Sequence, residues 1–337
     1  MGKPLKHMFR FALLTLFLLE PSALIFAQDG GYAGSFQRMG FGARGMAMGN
    51  AMTAVHTEGI YGHYNPALVA DTTHSNRNQV DIATAVMEFD RNLHMAGVHF
   101  HLPPKAGLGL QLINASVNGI DGRTSSGYHT EMLSTNEYQL HTQFAIRFHP
   151  SVWAGIGLKL TMADYHPDIR RPVSFGGDLG LKVTTGKRFT IGFTVQDLLS
   201  AYQWNASGLF GDELQRVTNQ KFPIRIKSGI AYNVNKELLF ACEFEYRINP
   251  ADFQLTDARR YNSKHVRLGT RYSIHERLSL RGGFRFIDLR YKKTPTLSAG
   301  FSVHLPFDRF SPSIDYAFIQ EPNRIANLHV FALRLLI

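Results

Sequence analysis

Beyond residue 78 the chain alternates, and strict alternation allows few folds. In Gln139 to Phe148, QLHTQFAIRF, one face carries Leu140, Thr142, Phe144, Ile146 and Phe148. The other carries Gln139, His141, Gln143, Ala145 and Arg147. Phe240, Cys242, Phe244 and Tyr246 likewise oppose Ala241, Glu243 and Glu245. Successive strand side chains point to opposite faces, so these are strands with one apolar face. Fourteen such segments follow: 79–87, 92–102, 105–117, 136–149, 152–165, 175–183, 189–196, 222–232, 238–246, 265–272, 278–286, 296–305, 310–318 and 327–337. Most exceed the ~5–6 residues of a globular strand and match the ~9–11 of a tilted transmembrane strand. An even count suits a single-chain outer-membrane barrel.

Loop lengths give an independent check. Connections after even-numbered segments are short, such as Pro103-Pro104 and Pro150-Ser151; those after odd-numbered ones are often long, at 118–135, 197–221 and 247–264, with 88–91 an exception. Outer-membrane barrels combine short periplasmic turns with longer outer loops. A soluble β-sandwich gives no reason for this parity. The expected fold is an all-β transmembrane antiparallel barrel of about 14 strands, covering 79–337.

In such a barrel the apolar face turns to lipid and the polar face lines the lumen. The expected lumenal set is Arg147, Lys159, Arg225, Lys227, Arg267, Arg271, Arg281 and Arg285, with Glu243 and Glu245 as partners. Phe148, Tyr165, Tyr232, Tyr246, Tyr272 and Phe318, near segment ends, suit interfacial girdles.

The first 27 residues read as an export signal: basic Lys3, Lys6 and Arg10, an apolar run Phe11–Leu19, then Ile25 and Ala27 at the cleavage positions. That run is nine residues, against ~20 for a spanning helix. Without the signal the formal charge falls from +10 to +8, as three bases and one acid leave. A basic exported chain suggests anionic neighbours, namely outer-membrane lipid and lipopolysaccharide. No nucleic-acid motif is present. The single Cys242 excludes an intrachain disulfide.

Residues 28–78 read as neither strand nor long helix. They are rich in Gly, Ala and Met, which pack closely and fill irregular gaps. A fourteen-strand lumen is too wide for its own wall to fill. The segment is therefore expected to be a lumenal hatch rather than a disordered leader. Ala47, Ala51 and Ala54 predict a helix within Arg44–Val55, and Asn65 before Pro66 predicts a turn closed by the Asn side chain. Charge complementarity predicts that Arg44 pairs with a lumenal carboxylate such as Glu243 or Glu245.

GARGMAMGNAMTAV, followed by GIYGHYNPALVA, resembles the N-terminal signature of the PorV/PorQ-type branch of the fatty-acid-transporter-like (FadL-type) outer-membrane barrels. The matching positions are Gly42, Arg44, Met46, Met48, Gly49, Ala51, Asn65, Pro66 and Ala67. Asn50, where the family often has glycine, Gly62-His63, and the Leu335-Leu336-Ile337 terminus depart from the pattern. The resemblance implies a fourteen-stranded barrel with an N-terminal hatch. It also implies a non-enzymatic role in type IX-like protein secretion, with protein partners of that machinery.

No catalytic constellation, cofactor motif or metal set stands out. His99 and His101 share a face, but no third ligand has recognisable spacing. Gly107, Gly109, Gly155 and Gly157 lie inside strands, where they fit close packing against a hatch. Two functions remain. One is capture of secreted proteins by outer loops, with Tyr202, Trp204, Leu209 and Phe210 as anchors. The alternative is transport of fatty acids or other hydrophobic molecules, which needs an apolar lumenal slot. The basic, polar lumen read here favours the first.

Overall fold

The computed structural model describes residues 32–56, 61–72, 77–205, 217–250, 262–288, 295–305, 307, 310–321 and 326–337. The export signal at 1–27 lies outside them.

Among the described residues sixteen strands form: β1 Gln79–Met87, β2 Arg91–Leu102, β3 Ala106–Arg123, β4 His129–His149, β5 Val152–Asp164, β6 Val173–Thr185, β7 Phe189–Leu198, β8 Ala201–Asn205, β9 Val217–Lys221, β10 Ile224–Asn233, β11 Leu238–Ile248, β12 Ser263–His275, β13 Leu278–Asp288, β14 Thr296–His304, β15 Ser313–Gln320 and β16 Asn327–Leu336. Fourteen close an antiparallel barrel, and β8 and β9 form a separate two-stranded sheet inserted between β7 and β10. Closure joins the first strand to the last, with Gln79 opposite Leu336 and Met87 opposite Leu328.

The alternation places the faces as the sequence predicts. Leu140, Phe144 and Ile146 are exposed on the outside, while Gln139, His141 and Gln143 are fully buried inside. Phe240 and Phe244 face out; Glu243 and Glu245 face in. An apolar outside and a polar inside are inverted relative to a water-soluble core, so the wall is a lipid-facing outer-membrane barrel.

Two expected loops are built differently. Residues 118–135 are mostly strand: β3 and β4 continue to pair beyond Val117 and Asn136, where their outer neighbours β2 and β5 stop. Each local backbone can keep satisfying the other, so the pair rises as an arm about 20 Å long, at ~3.4 Å per residue. Gly119, at φ 64, sits in the bulge at its base. Segment 197–221 contains the β8–β9 hairpin. Here β7 leaves the wall at Asp197 and Leu199, both at positive φ.

The N-terminal segment lies inside the barrel. It holds a 3-10 turn at Ser35–Arg38, α1 at Ala43–Ala47, α2 at Tyr61–Tyr64 and a second 3-10 turn at Pro66–Ala70. The expected helix over Arg44–Val55 is shorter, ending after Ala47. Gly49 takes φ 64, and a side chain there would meet the carbonyl oxygens of Phe284 and Leu268 at 2.7 and 2.8 Å. The turn presses backbone against wall backbone, which stops the helix and requires glycine. Asn65 is extended, and its side chain accepts from the Ala67 N–H, as expected.

Candidate functional site: the hatch and its seat

The hatch meets two unlike walls. On one side the inward faces of β1, β2, β3, β15 and β16 carry an apolar stretch beside the polar residues Asp81, His99, Gln111, Asp315 and Arg334. Ala85, Leu93, Met95, Ile113, Ile319, Leu328 and Val330 form one buried cluster with hatch residues Phe36, Phe41, Met46, Met48 and Met52. Flexible methionines suit such an irregular surface, and each buried side chain contributes roughly 1.5–3 kcal/mol.

On the other side the wall is charged. Lys159 Nζ sits 2.8 Å from Asp178 and 2.7 Å from Asp197, and Arg225 reaches Asp197 at 2.7 Å. Arg267 bridges Glu243 and Glu245, and Arg247 pairs with Glu245 at 2.9 Å. These groups are at most 5% exposed, so each charge depends on its partner.

Hatch backbone is tied into this network. Glu243 accepts from the N–H groups of Met52 (3.1 Å) and Thr53 (3.0 Å) and from the Thr53 hydroxyl (2.6 Å). Asn65 Nδ2 donates to the Thr53 and Leu181 carbonyls. Lys182 pairs with Asp71, and Gln196 donates to the His63 carbonyl at 2.8 Å. Tyr64 OH donates to Asn50 Oδ1 at 2.9 Å and accepts from the Phe41 N–H at 3.0 Å. Burial pushes the Tyr64 phenol well above its ordinary range, keeping it a neutral donor. Burial, then Lys159 and Arg225, holds His63 well below the ordinary imidazole value.

Wall glycines admit the hatch. Positions for a side chain at Gly107, Gly155 and Gly192 are taken by hatch backbone at Val69, Pro66–Ala67 and Thr53 respectively. Only a bare backbone fits this close approach.

Arg44 pairs with a lumenal carboxylate, but not with either of the two named. Its Nε donates to Asp315 at 3.0 Å and its Nη2 to Ser313 at 2.6 Å, so its partner is Asp315 of β15, not Glu243 or Glu245. Glu243 and Glu245 are already engaged by Arg267 and the hatch backbone. Gly42, Met46, Met48, Gly49, Ala51, Asn65, Pro66 and Ala67 are all brought into the hatch, and the Gly42 N–H lies 3.3 Å from the Met95 sulfur.

The expected lumenal residues divide by depth. Lys159, Arg225, Lys227, Glu243, Glu245, Arg267, Arg281 and Arg285 are buried inside. Arg147 and Arg271 sit half-buried at the short-turn mouth, bonded to the Pro150 and Lys236 carbonyls. Asp71, Asp81, Asp178, Asp197 and Asp315 complete the network and escaped the sequence reading. The lumen is therefore neither uniformly polar nor simply basic. The apolar side escaped because β1, QVDIATAVM, becomes apolar on both faces only in its second half, where Ala83, Ala85 and Met87 face inward. That two-sided pattern is the available signal of a strand buried on both sides.

The predicted partner anchors also move. Tyr202 is fully buried, donates to Glu137 at 3.0 Å and packs on Phe222; Trp204 stacks on Tyr165 at 5.1 Å. Aromatic burial turns them inward as a cap over the outer mouth, with Ala33 and Ala163. Tyr165 accordingly leaves the lipid girdle. Leu209 and Phe210 lie outside the described residues. His99 faces inward and is buried; no group of three metal-ligating side chains occurs among the described residues.

No family model matches the chain, and no curated protein matches it in sequence. Solved structures do match. The toluene transporter TodX of Pseudomonas putida aligns over 88% of this chain and 96% of its own, at 14% identity and a TM-score of 0.59. The CymD monoaromatic hydrocarbon channel aligns over 88% and 96%, at 14% identity and 0.57. A FadL homologue of Pseudomonas aeruginosa aligns over 87% and 96%, at 11% identity and 0.57. At these identities the likeness is one of fold: the chain has the fold of the FadL-type outer-membrane barrels.

Proposed function

We propose that this barrel passes a hydrophobic small molecule across the outer membrane, with the hatch as its gate. The observation that carries the reading is the apolar lumenal side, Leu93, Met95, Ile113, Ile319, Leu328 and Val330, covered by hatch methionines. An apolar solute needs such a slot, and a hatch that shifts off it supplies one. The shared fold with channels for toluene and monoaromatic hydrocarbons agrees with this and suggests the solute class. The uniformly polar lumen that favoured protein handling in the sequence is absent.

A specific observation keeps protein capture as a second reading. The β3–β4 arm stands above the rim and exposes Tyr128 and Met132 near its tip. The PorV/PorQ-type resemblance, carried by the hatch motif alone, points the same way.

The test is uptake of labelled toluene by cells whose own outer membrane lacks such a channel. Wild-type protein should raise the initial rate, and Ile113→Arg, placing a charge in the slot, should return it to background. Uptake at background with wild-type protein, together with a co-purifying secretion channel, would transfer the role to protein capture.

A further inference from the structure

The two rims of the barrel differ in charge. The short turns, the β1–β2 turn excepted, and both ends of the wall lie at one rim. Its exposed described bases are Arg77, Lys105, Lys187, Arg188, Lys236 and Arg277, against two exposed acids, Glu237 and Glu276. At the long-loop rim five exposed bases meet five exposed acids among the described residues. Among the described residues the exposed excess of positive charge therefore lies at the periplasmic rim.

The six bases are spread round the ring. Arg77 precedes β1, Lys105 joins β2 to β3, Lys187 and Arg188 join β6 to β7, Lys236 joins β10 to β11, and Arg277 joins β12 to β13. Each borders an outward apolar residue: Ile337 beside Arg77, Leu102 before Lys105, Phe189 after Arg188, Phe240 above Lys236, and Ile274 before Arg277. Bases at the edge of an apolar band lie at the level of lipid phosphates.

We infer that this ring binds anionic phospholipid head groups of the inner leaflet. A protein partner would touch one arc, whereas lipid surrounds the wall on every side, and the bases recur at five places round the rim, from β1 through β2–β3, β6–β7 and β10–β11 to β12–β13. Lipopolysaccharide sits at the other rim, where the exposed charge of the described residues is balanced. The sequence-level expectation of anionic neighbours is thereby narrowed to one leaflet. This inference does not depend on what the lumen carries.

The test offers purified barrel equal phosphatidylglycerol and phosphatidylcholine in mixed micelles and counts retained lipid by native mass spectrometry. Wild-type protein should retain phosphatidylglycerol preferentially. The quadruple variant Lys187→Glu, Arg188→Glu, Lys236→Glu and Arg277→Glu should lower that preference at least about fivefold, the worth of one base at an anionic surface. Arg170→Glu with Arg171→Glu at the opposite rim should leave it unchanged. Should the quadruple variant fail to assemble, salt serves instead: raising wild-type samples from about 0.05 to 0.5 M should erase the preference. Equal retention of both lipids by wild-type protein would overturn the inference and leave the ring to an acidic periplasmic protein. A preference indifferent to salt would overturn it too.

Discussion

The hatch is held mostly by packing on one side, with the Arg44–Asp315 ion pair beside it, and by a charge network on the other, and the two sides behave differently as chemistry. Against β15, β16, β1, β2 and β3 it lays methionines and phenylalanines on aliphatic wall residues. Against β5, β6, β7 and β10 to β12 its backbone is bonded to buried ion pairs. Apolar contacts have no fixed direction and re-form after sliding. A buried carboxylate that loses its donors is stranded. The charged side, with the Arg44–Asp315 pair on β15, is therefore the anchor, and the methionine–aliphatic contacts are the surface along which movement is cheap. That division is what a gate over an apolar slot requires.

The largest effect should come from filling the contact on the charged side. Gly192→Leu places a side chain where Thr53 backbone lies, and overpacking of that kind costs about 3 kcal/mol or more. The hatch should lose its protection against limited proteolysis while the barrel keeps its folded electrophoretic mobility. Protection equal to wild type would show that the hatch is not seated there.

Glu243→Ala should follow closely. It removes one of the two carboxylate partners of Arg267 and the acceptor for Met52 and Thr53, a loss of about 3 kcal/mol read as hatch protection against denaturant. On the opposite side Ile113→Ala should cost about 2–4 kcal/mol by the same measurement. The comparison sharpens if toluene restores protection to Ile113→Ala but not to Glu243→Ala.

Acidification should act on the charged side. His63 is held neutral in the folded state, its value depressed by burial and by Lys159, Arg225 and Lys227. The unfolded segment binds a proton near pH 6.5, so stability is full above that pH. It falls as pH drops toward the depressed folded value, by about 1.4 kcal/mol per unit. Wild-type hatch should open between pH 6.5 and 5 more than His63→Gln, monitored by protease access. Tyr202→Phe should give the smallest effect, about 1 kcal/mol, because it removes one neutral-donor bond to Glu137 from the outer cap.

The wall was nearly all legible in the sequence because lipid outside and polar groups inside enforce alternation at every step. Segment 79–87 coincides with β1, and most other boundaries fall within a few residues. The arm was missed because its polar sequence, NGIDGRTSSGYHTEMLST, looks like loop; pairing between its two halves, not burial, makes it strand. Charged members of the seat were visible as bases inside alternating strands. The acids were less so, since Asp178 and Asp315 gain meaning only from Lys159 and Arg44 far away in sequence. Arg44 shows the limit: its charge predicted a carboxylate partner, but which one depends on how the hatch is threaded. Tyr202 and Trp204 show it again, as aromatic loop residues serve capture or packing equally well until the hairpin's fold is known.

The most direct test of the gate is to fasten it. In a Cys242→Ala background, Ala47→Cys and Ser298→Cys join the hatch to β14, where Ser298 Oγ lies 2.9 Å from the Ala47 carbonyl. The oxidised protein should take up labelled toluene at the background rate, and reduction should restore the wild-type rate. Uptake that is the same before and after reduction would contradict a moving hatch.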